Sequence, residues 1–378
     1  MADDEKLRVV FVTWDGGGNL PPALGIASEL VRRGDDVRML GHEAQRDAIS
    51  RAGLEFTPIR TGRDYVSAEP RGTVDGTFGL AAVFADRGIG DDALSMLAER
   101  PADVVVVDCL LWGAQQRLEQ AGARVVILVH SLSAFFDRNA RGPLGLIARL
   151  RGTDAVAAER GAALELVTSR AELEPPRRIR ESVQHVGFVW QDHPPVAAER
   201  TAVPRVLVSF STTSFPGQAR ALQRVLDALA DEPVEVVATT GAVDPSGLRV
   251  PRNASVARLL DHAQVLPTTA LVVGHGGHAT TARALAAGIP VLVMPMHPLM
   301  DQPLVGKAVE RLGVGATLPK SASIERIAAA ARRLLDDRVV ADAASALGRA
   351  VRAADGAVVA ADALHADHGR GRLPVTAS

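Results

Sequence analysis

Two groups of residues in this chain carry side chains suited to chemistry. The first lies between Leu271 and Gln302. His275-Gly276-Gly277 is followed at once by His278-Ala279 and then by Thr280-Thr281. Glycines let an anion approach backbone N–H groups, a helix beginning there favours negative charge, and the threonines add hydroxyls. His275 can add a charge-assisted bond, so the stretch reads as a phosphate site. His275 and His278 have no carboxylate or thiolate at this turn to complete a ligand set, so no metal is expected there. Farther on, Asp301 and Gln302 place a carboxylate beside an amide, a pairing suited to vicinal hydroxyls. The second group is Asp15, Asn19, Asp108 and His130. Carboxylates and imidazole accept protons, whereas an asparagine only orients or hydrogen-bonds. Asp108, closing an apolar run, is expected to have a raised pKa and to be able to act as a base directly.

These residues must be held by alternating strands and helices. Leu7–Val12, Val37–Leu40, Val104–Val107 and Val125–Val129 are apolar runs that read as buried parallel strands. Between them, a helix ending at Arg33 carries Leu24, Ala27, Leu30 and Val31 on one face and stops at Gly34; His42–Ala52 and Trp112–Ala121 are further helices. Asn19, Asp108 and His130 each follow a strand end, where doubly wound sheets bind ligands. Dinucleotide binding is rejected: the first strand lacks the Gly-x-Gly-x-x-Gly spacing and no acidic residue closes the second. Residues 61–90 read as irregular, with aliphatic-rich helical pieces around Phe78–Phe84 and Ala134–Leu150 able to line an apolar site or ordinary core. Leu164–Thr168 and Val183–Val189 read as the last strands of a first domain spanning 1–190. A polar, proline-containing linker over 191–202 leads to a second domain over 203–354, with strands at Arg205–Phe210, Val234–Ala238, Leu271–Val273 and Val291–Met294. Its helices fall at Gln218–Ala230, Thr280–Ala287, Pro303–Leu312, Ser323–Leu335 and Ala341–Ala354. Residues 355–365 form a last helix, and 366–378 are expected to be a disordered tail.

The run His275-Gly276-Gly277, Thr280-Thr281, Ala287-Gly288-Ile289-Pro290, Pro295, Asp301-Gln302-Pro303 and Leu312-Gly313-Val314-Gly315 resembles the donor-binding signature of GT-B nucleotide-sugar glycosyltransferases. The resemblance is to the UDP-glucuronosyl/UDP-glucosyltransferase-like superfamily and its bacterial natural-product branch. It implies an α/β GT-B fold: two Rossmann-like doubly wound parallel-sheet domains facing across a cleft, with helix 355–365 crossing back to the first. It implies an inverting, metal-independent glycosyltransferase with no cofactor, the nucleotide sugar (TDP- or UDP-) being a substrate. His275, Gly276, Gly277 and Thr280 match positions that stabilise the departing diphosphate. Ala279, often Asn or Gly in relatives, offers only its backbone. Ser211 and Thr212 stand in a turn that approaches phosphates, Ser211 replacing the usual Gly. Asp301 and Gln302 match the sugar ligands, and Leu259-Leu260-Asp261-His262 stands where relatives often carry a nucleobase-recognising Trp-x-Pro-Gln, with His262 in the Gln position. Relatives place a general-base His where this chain has Asn19, in Gly18-Asn19-Leu20-Pro21-Pro22. Asp108 resembles the carboxylate that polarises that His. The base is then Asp108 or Asp15, with His130 a third candidate, or else the acceptor needs none.

Net charge of -2 and 3% aromatic residues give no reason to expect nucleic acid. Cys109 is the one cysteine, so no internal disulfide or cysteine-rich zinc site can form. The acidic N-terminus lacks an apolar leader, and the expectation is a cytoplasmic protein without stable membrane insertion. The expected partners are a nucleotide-sugar donor and a small aglycone; a homodimer is left open. The rival readings are an epimerase on the same scaffold, or a catalytically degenerate nucleotide-sugar binder motivated by Asn19.

Overall fold

The computed structural model describes residues 6–66, 73–191, 195–199 and 201–371. The chain divides into two compact units: Met1–Ala171, Pro176–Asp192 and Asp355–Ser378 form unit 1, and Glu172–Pro175 with His193–Ala354 form unit 2. Unit 1 contains β1 (Arg8–Val12), α1 (Leu20–Arg33), β2 (Asp36–Gly41), α2 (Arg46–Arg51), β3 (Glu55–Pro58), α3 (Thr73–Phe84), α4 (Gly88–Glu99) and β4 (Val104–Asp108). It continues through α5 (Trp112–Gln120), β5 (Val125–Val129), α6 (Ser133–Ala140), α7 (Pro143–Leu150), α8 (Ala155–Gly161), β6 (Leu164–Val167) and β7 (Val183–His185). Unit 2 contains β8 (Arg205–Ser209), α9 (Gln218–Leu229), β9 (Glu235–Thr239), β10 (Ala254–Ala257), α10 (His262–Val265), β11 (Thr269–Gly274) and α11 (His278–Ala286). Its remainder is β12 (Val291–Val293), α12 (Gln302–Arg311), β13 (Gly315–Thr317), α13 (Ile324–Asp336) and α14 (Arg338–Arg352); α15 (Gly356–Gly371) belongs to unit 1.

The sheets run β3-β2-β1-β4-β5-β6-β7 and β10-β9-β8-β11-β12-β13, every pairing parallel. In each, the chain winds outward from its first strand and then returns to that strand's other side. The switch points therefore lie between β1 and β4 and between β8 and β11, where such sheets bind ligands. The Val run of β4 is apolar throughout because both its faces are covered. Val104 and Val106 join the core under α1 and α15, while Val105 and Val107 join the opposite core with Trp112 and Leu118.

α15 extends past the helix expected over 355–365: residues 366–371, expected to be disordered, are helical, and 372–378 lie outside the described residues. The physical reason is anchoring. Asp367 is buried and pairs with Arg124 at 2.7 Å, His365 meets Asp35 at 2.9 Å, and Arg33 meets Asp362 at 2.6 Å. The segment 61–90, expected to be a loop with a helix start and a helical piece around Phe78–Phe84, contains α3 and the start of α4; its residues 67–72 lie outside the described residues. The strand expected over 183–189 ends at His185. In the linker over 191–202, residues 192–194 and 200 lie outside the described residues. Its Ala198 and Glu199 amides are bound to the Ala287 and Pro267 carbonyls within unit 2.

Glu119, near the end of α5, has Oε1 buried with no hydrogen-bond partner, and Gly161 packs against its carboxyl. Burial pushes its pKa up to about 7 from 4.5. Ionising it therefore weakens the fold as pH rises through that interval. Glu119→Gln should raise the melting temperature at pH 8 and leave it nearly unchanged at pH 4, read by thermal denaturation.

Candidate active site

Asn19 and Asp108 meet at the switch point of unit 1. Asn19 follows β1, is buried, and donates through Nδ2 to Asp108 Oδ2 at 2.8 Å, to the Trp14 carbonyl at 3.0 Å and to Thr13 Oγ1 at 3.3 Å. The amide thus spends its donor side on holding the turn and the carboxylate. Asp108 closes β4, and its other oxygen accepts from the Leu110 N–H at 2.9 Å. His130 follows β5, packs edge-on against Phe136, and directs Nδ1 to Asp108 Oδ2 at 3.4 Å. Its side chain is 17% exposed against 5% for Asp108, so the imidazole is the member of the pair that solvent reaches.

The expected raised pKa of Asp108 is overturned. Burial does push it up, but His130, the Leu110 amide and Asn19 together hold the carboxyl below its ordinary value. Asp108 is thus an anion at neutral pH and a weak proton acceptor. Asp15 lies half-buried on the same turn.

Residues that sequence reasoning passes over hold this turn in shape. His42, after β2, accepts the Asp15 N–H on Nδ1 at 3.0 Å, and its Nε2 lies 3.0 Å from the Arg63 carbonyl. Gln45 donates to the Trp14 carbonyl at 2.9 Å, and Gln115 donates to the Asp108 carbonyl at 2.8 Å. The strand-end rule that selects Asp108 and His130 also selects His42; the glutamines carry no such signal.

In unit 2 the turn His275–Gly277 follows β11 at the second switch point. Gly276 has φ +84°, and a Cβ there would lie 2.7 Å from Val293 Cγ1. A Cβ on Gly277 would lie 2.5 Å from His275 Nε2, so only glycine leaves room for the imidazole over the turn. α11 begins at His278, two residues before the expected start, with Gly277 as its cap. Ala279 and Thr280 therefore sit in the first turn, whose amides the helix itself cannot satisfy. His275 corrects the expected charge-assisted contact: burial, opposed by a bond to the Ser209 backbone, pushes its pKa down to about 4, so the ring is neutral at pH 7.

The flanking loops complete the site. Ser211 is buried; its Oγ accepts from the Thr213 N–H at 3.0 Å and its carbonyl from Gln218 Nε2 at 2.7 Å, while Thr212 is exposed. His262 Nε2 lies 3.3 Å from Ser209 Oγ, and burial together with Arg283 lowers its pKa. Gln302 follows Asp301 as the first residue of α12. It is buried, and its Oε1 accepts from the Met296 and His297 amides at 2.7 and 3.1 Å, shaping the loop that carries Asp301. Asp301 holds the N-cap position of α12 without a side-chain capping bond. Lys320 was also missed. Its Nζ bridges the Pro216 and Met296 carbonyls at 2.9 and 2.8 Å and so ties the two loops flanking the turn. Lys320→Met should raise donor KM several-fold with kcat nearly retained, and Lys320→Arg should recover part of the loss in steady-state kinetics.

Comparison with known proteins fits this geometry. Residues 223–359 match the family of the erythromycin biosynthesis protein CIII-like C-terminal domain. The chain is 29% identical over 394 aligned residues to 4'-demethylrebeccamycin synthase of Lentzea aerocolonigenes, covering 87% of this chain and 92% of that one. It is 35% identical over 183 residues to a PGL/p-HBAD biosynthesis glycosyltransferase of Mycobacterium tuberculosis, 47% of this chain and 42% of that protein. Among solved structures, the glycotransferase of kitacinnamycin superposes with TM-score 0.79 at 22% identity, covering 96% of this chain and 99% of that one. Glycosyltransferase VinC in complex with DTDP superposes with TM-score 0.73 at 21% identity, covering 97% and 100%. Fold and relatives together define a glycosyltransferase of the GT-B class. Within that class the chain is of the natural-product biosynthesis type. No helix among the described residues is long and apolar enough to cross a membrane.

Proposed function

We propose that this enzyme moves a sugar from a thymidine or uridine diphosphate sugar to a hydroxyl of a small hydrophobic natural product, in one inverting displacement that needs no cofactor. The acceptor oxygen attacks the anomeric carbon, the bond to the nucleoside diphosphate breaks, and the hydroxyl proton passes to His130 Nε2. Asp108 is the orienting partner: its negative charge keeps the ring proton on Nδ1 and stabilises the imidazolium as it forms. The 3.4 Å contact is long, as such bonds often are before reactants tighten them. Asn19 acts as a clamp on Asp108. On the donor side, the amides of Gly277, Ala279 and Thr280, the ring of His275 and the hydroxyls around Ser211 and Thr212 receive the departing diphosphate, and Asp301 orients the sugar. No group of metal-binding spacing occurs at that turn among the described residues, so backbone dipoles are assigned the leaving charge.

The observation that carries this reading is the pairing of His130 with Asp108 beside Asn19, which supplies the base whose absence from position 19 would otherwise suggest a degenerate binder. A thymidine donor has the support of the VinC complex with DTDP, and a natural-product acceptor that of the relative named 4'-demethylrebeccamycin synthase. The test is to incubate the enzyme with TDP- and UDP-hexoses and a panel of aglycones, and to read the anomeric configuration of the product by NMR. Inverted glycoside is expected. Retained configuration, or turnover of donor without acceptor, would overturn the proposal.

A further inference from the structure

Beyond its part in proton transfer, the end of β4 and β5 has the make-up of a metal site. Asp108, Cys109 and His130 each offer one ligand atom, and all three atoms lie within 4.8 Å of one another. His130 Nδ1 is 3.4 Å from Asp108 Oδ2 and 3.5 Å from Cys109 Sγ. A tetrahedral zinc ion, with bonds of about 2.0–2.1 Å to nitrogen and oxygen and about 2.3 Å to sulfur, sets ligand-to-ligand edges of about 3.3 and 3.5 Å. A charge-assisted N–H···O contact closes to about 2.7–2.9 Å instead. The two edges that meet at His130 Nδ1 therefore match those of a tetrahedral ion, so the place that holds a proton between the side chains can hold a cation instead.

The surroundings favour the same occupant. Asp108 and Cys109 are buried, and a divalent ion with one carboxylate and one thiolate is electrically neutral, which such a site tolerates. Imidazole, thiolate and carboxylate select a borderline-soft ion over magnesium or calcium. Asp108 is oriented from outside by the Leu110 amide and by Asn19, the kind of second layer that fixes metal-bound carboxylates. Cys109 packs in the core of unit 1, where burial and the charge of Asp108 keep it a thiol, inert as a nucleophile until a metal displaces its proton.

We propose that Asp108, Cys109 and His130 form a binding site for zinc, and that zinc there switches the transferase off. Binding forms one metal–sulfur bond and releases the Cys109 proton to solvent, with no change of oxidation state. With Nδ1 on the metal, the ring of His130 carries its proton on Nε2 and cannot take one from an acceptor. Water fills the fourth position.

The inhibitory half of this inference rests on the transferase reading, whereas the binding half does not, so the test has two arms. In the first, cobalt(II) alone is titrated into metal-free full-length protein. A sulfur-to-cobalt charge-transfer band saturating at one cobalt per chain is expected, displaced by zinc, and lost in Cys109→Ala. Should Cys109→Ala fail to fold, His130→Gln, at a partly exposed position, must weaken cobalt binding at least tenfold. No band in the parent protein, or a band that survives both substitutions, overturns the site. In the second arm, zinc is added during turnover and each protein is compared with its own zinc-free rate. Inhibition reversed by EDTA, and shifted at least tenfold in Cys109→Ala, is expected. Full activity with the site saturated overturns the switch.

Discussion

His130→Ala is expected to lower kcat by about 10²- to 10⁴-fold, the usual worth of a positioned general base, while donor affinity stays within error. The ring touches Asp108, Cys109 and Phe136 and helps hold the buried Asp108 anion, so a lower melting temperature is also expected and is measured alongside the kinetics. The decisive companion is Asn19→His in the same background. Asn19 Nδ2 is 2.8 Å from Asp108 Oδ2, so an imidazole at position 19 can take up the same carboxylate once His130 is gone. The double variant Asn19→His/His130→Ala should regain at least tenfold over His130→Ala alone. In the single variant Asn19→His, two imidazoles compete for one carboxylate and no gain is expected. Steady-state kinetics at saturating donor separates these outcomes. A double variant as inactive as His130→Ala would mean that Asp108 does not confer base function on whichever imidazole faces it.

Gly277→Ala is expected to weaken TDP or UDP binding at least tenfold, about 1.4 kcal/mol or more, in calorimetric titration. The cause is space rather than backbone strain: Gly277 has φ -62°, which any residue adopts, but its Cβ would stand 2.5 Å from His275 Nε2 and 2.7 Å from Cε1. The imidazole must shift, and the shift disturbs the turn whose amides are proposed to receive the diphosphate. His275→Ala should lose donor affinity in the same direction. It also has a signature of its own in acid. His275 has its pKa pushed down from 6.5 to about 4, so the unfolded chain takes up a proton there that the folded chain refuses. Stability from this group is complete above pH 6.5 and is lost as pH falls toward 4. Removing the ring should flatten that part of the stability profile.

Much of this was legible in the sequence because the responsible segments are apolar on both faces or punctuated by glycine. The Val104–Val107 run can only be a buried parallel strand, and Gly34 ends α1 with φ 99° and its N–H on the Leu30 and Val31 carbonyls. Once strands were placed, their ends pointed to Asn19, Asp108 and His130. What stayed hidden has physical reasons. The sequence reading contains no strand at Glu55–Pro58, Ala254–Ala257 or Gly315–Thr317, because β3 and β10 are half-exposed edge strands without an apolar run and β13 is three residues long. The charge state of Asp108 could not be read either. A carboxyl at an apolar strand end looks desolvated, and only the fold reveals the imidazole, amide and backbone N–H that outweigh burial. Gln302 beside Asp301 suggests a pair acting together, yet the start of α12 turns the glutamine inward and leaves the aspartate at the cap.

In the proposed reaction, His130 removes a proton from the acceptor while glycosyl transfer proceeds. This step is tested most directly by measuring the ratio of parent to His130→Ala rates across one acceptor scaffold whose hydroxyl is made progressively more acidic. If the imidazole is the base, the ratio shrinks toward unity as the acceptor comes to ionise unaided. A ratio that stays constant across the series would show that the ring supports the site without taking the proton.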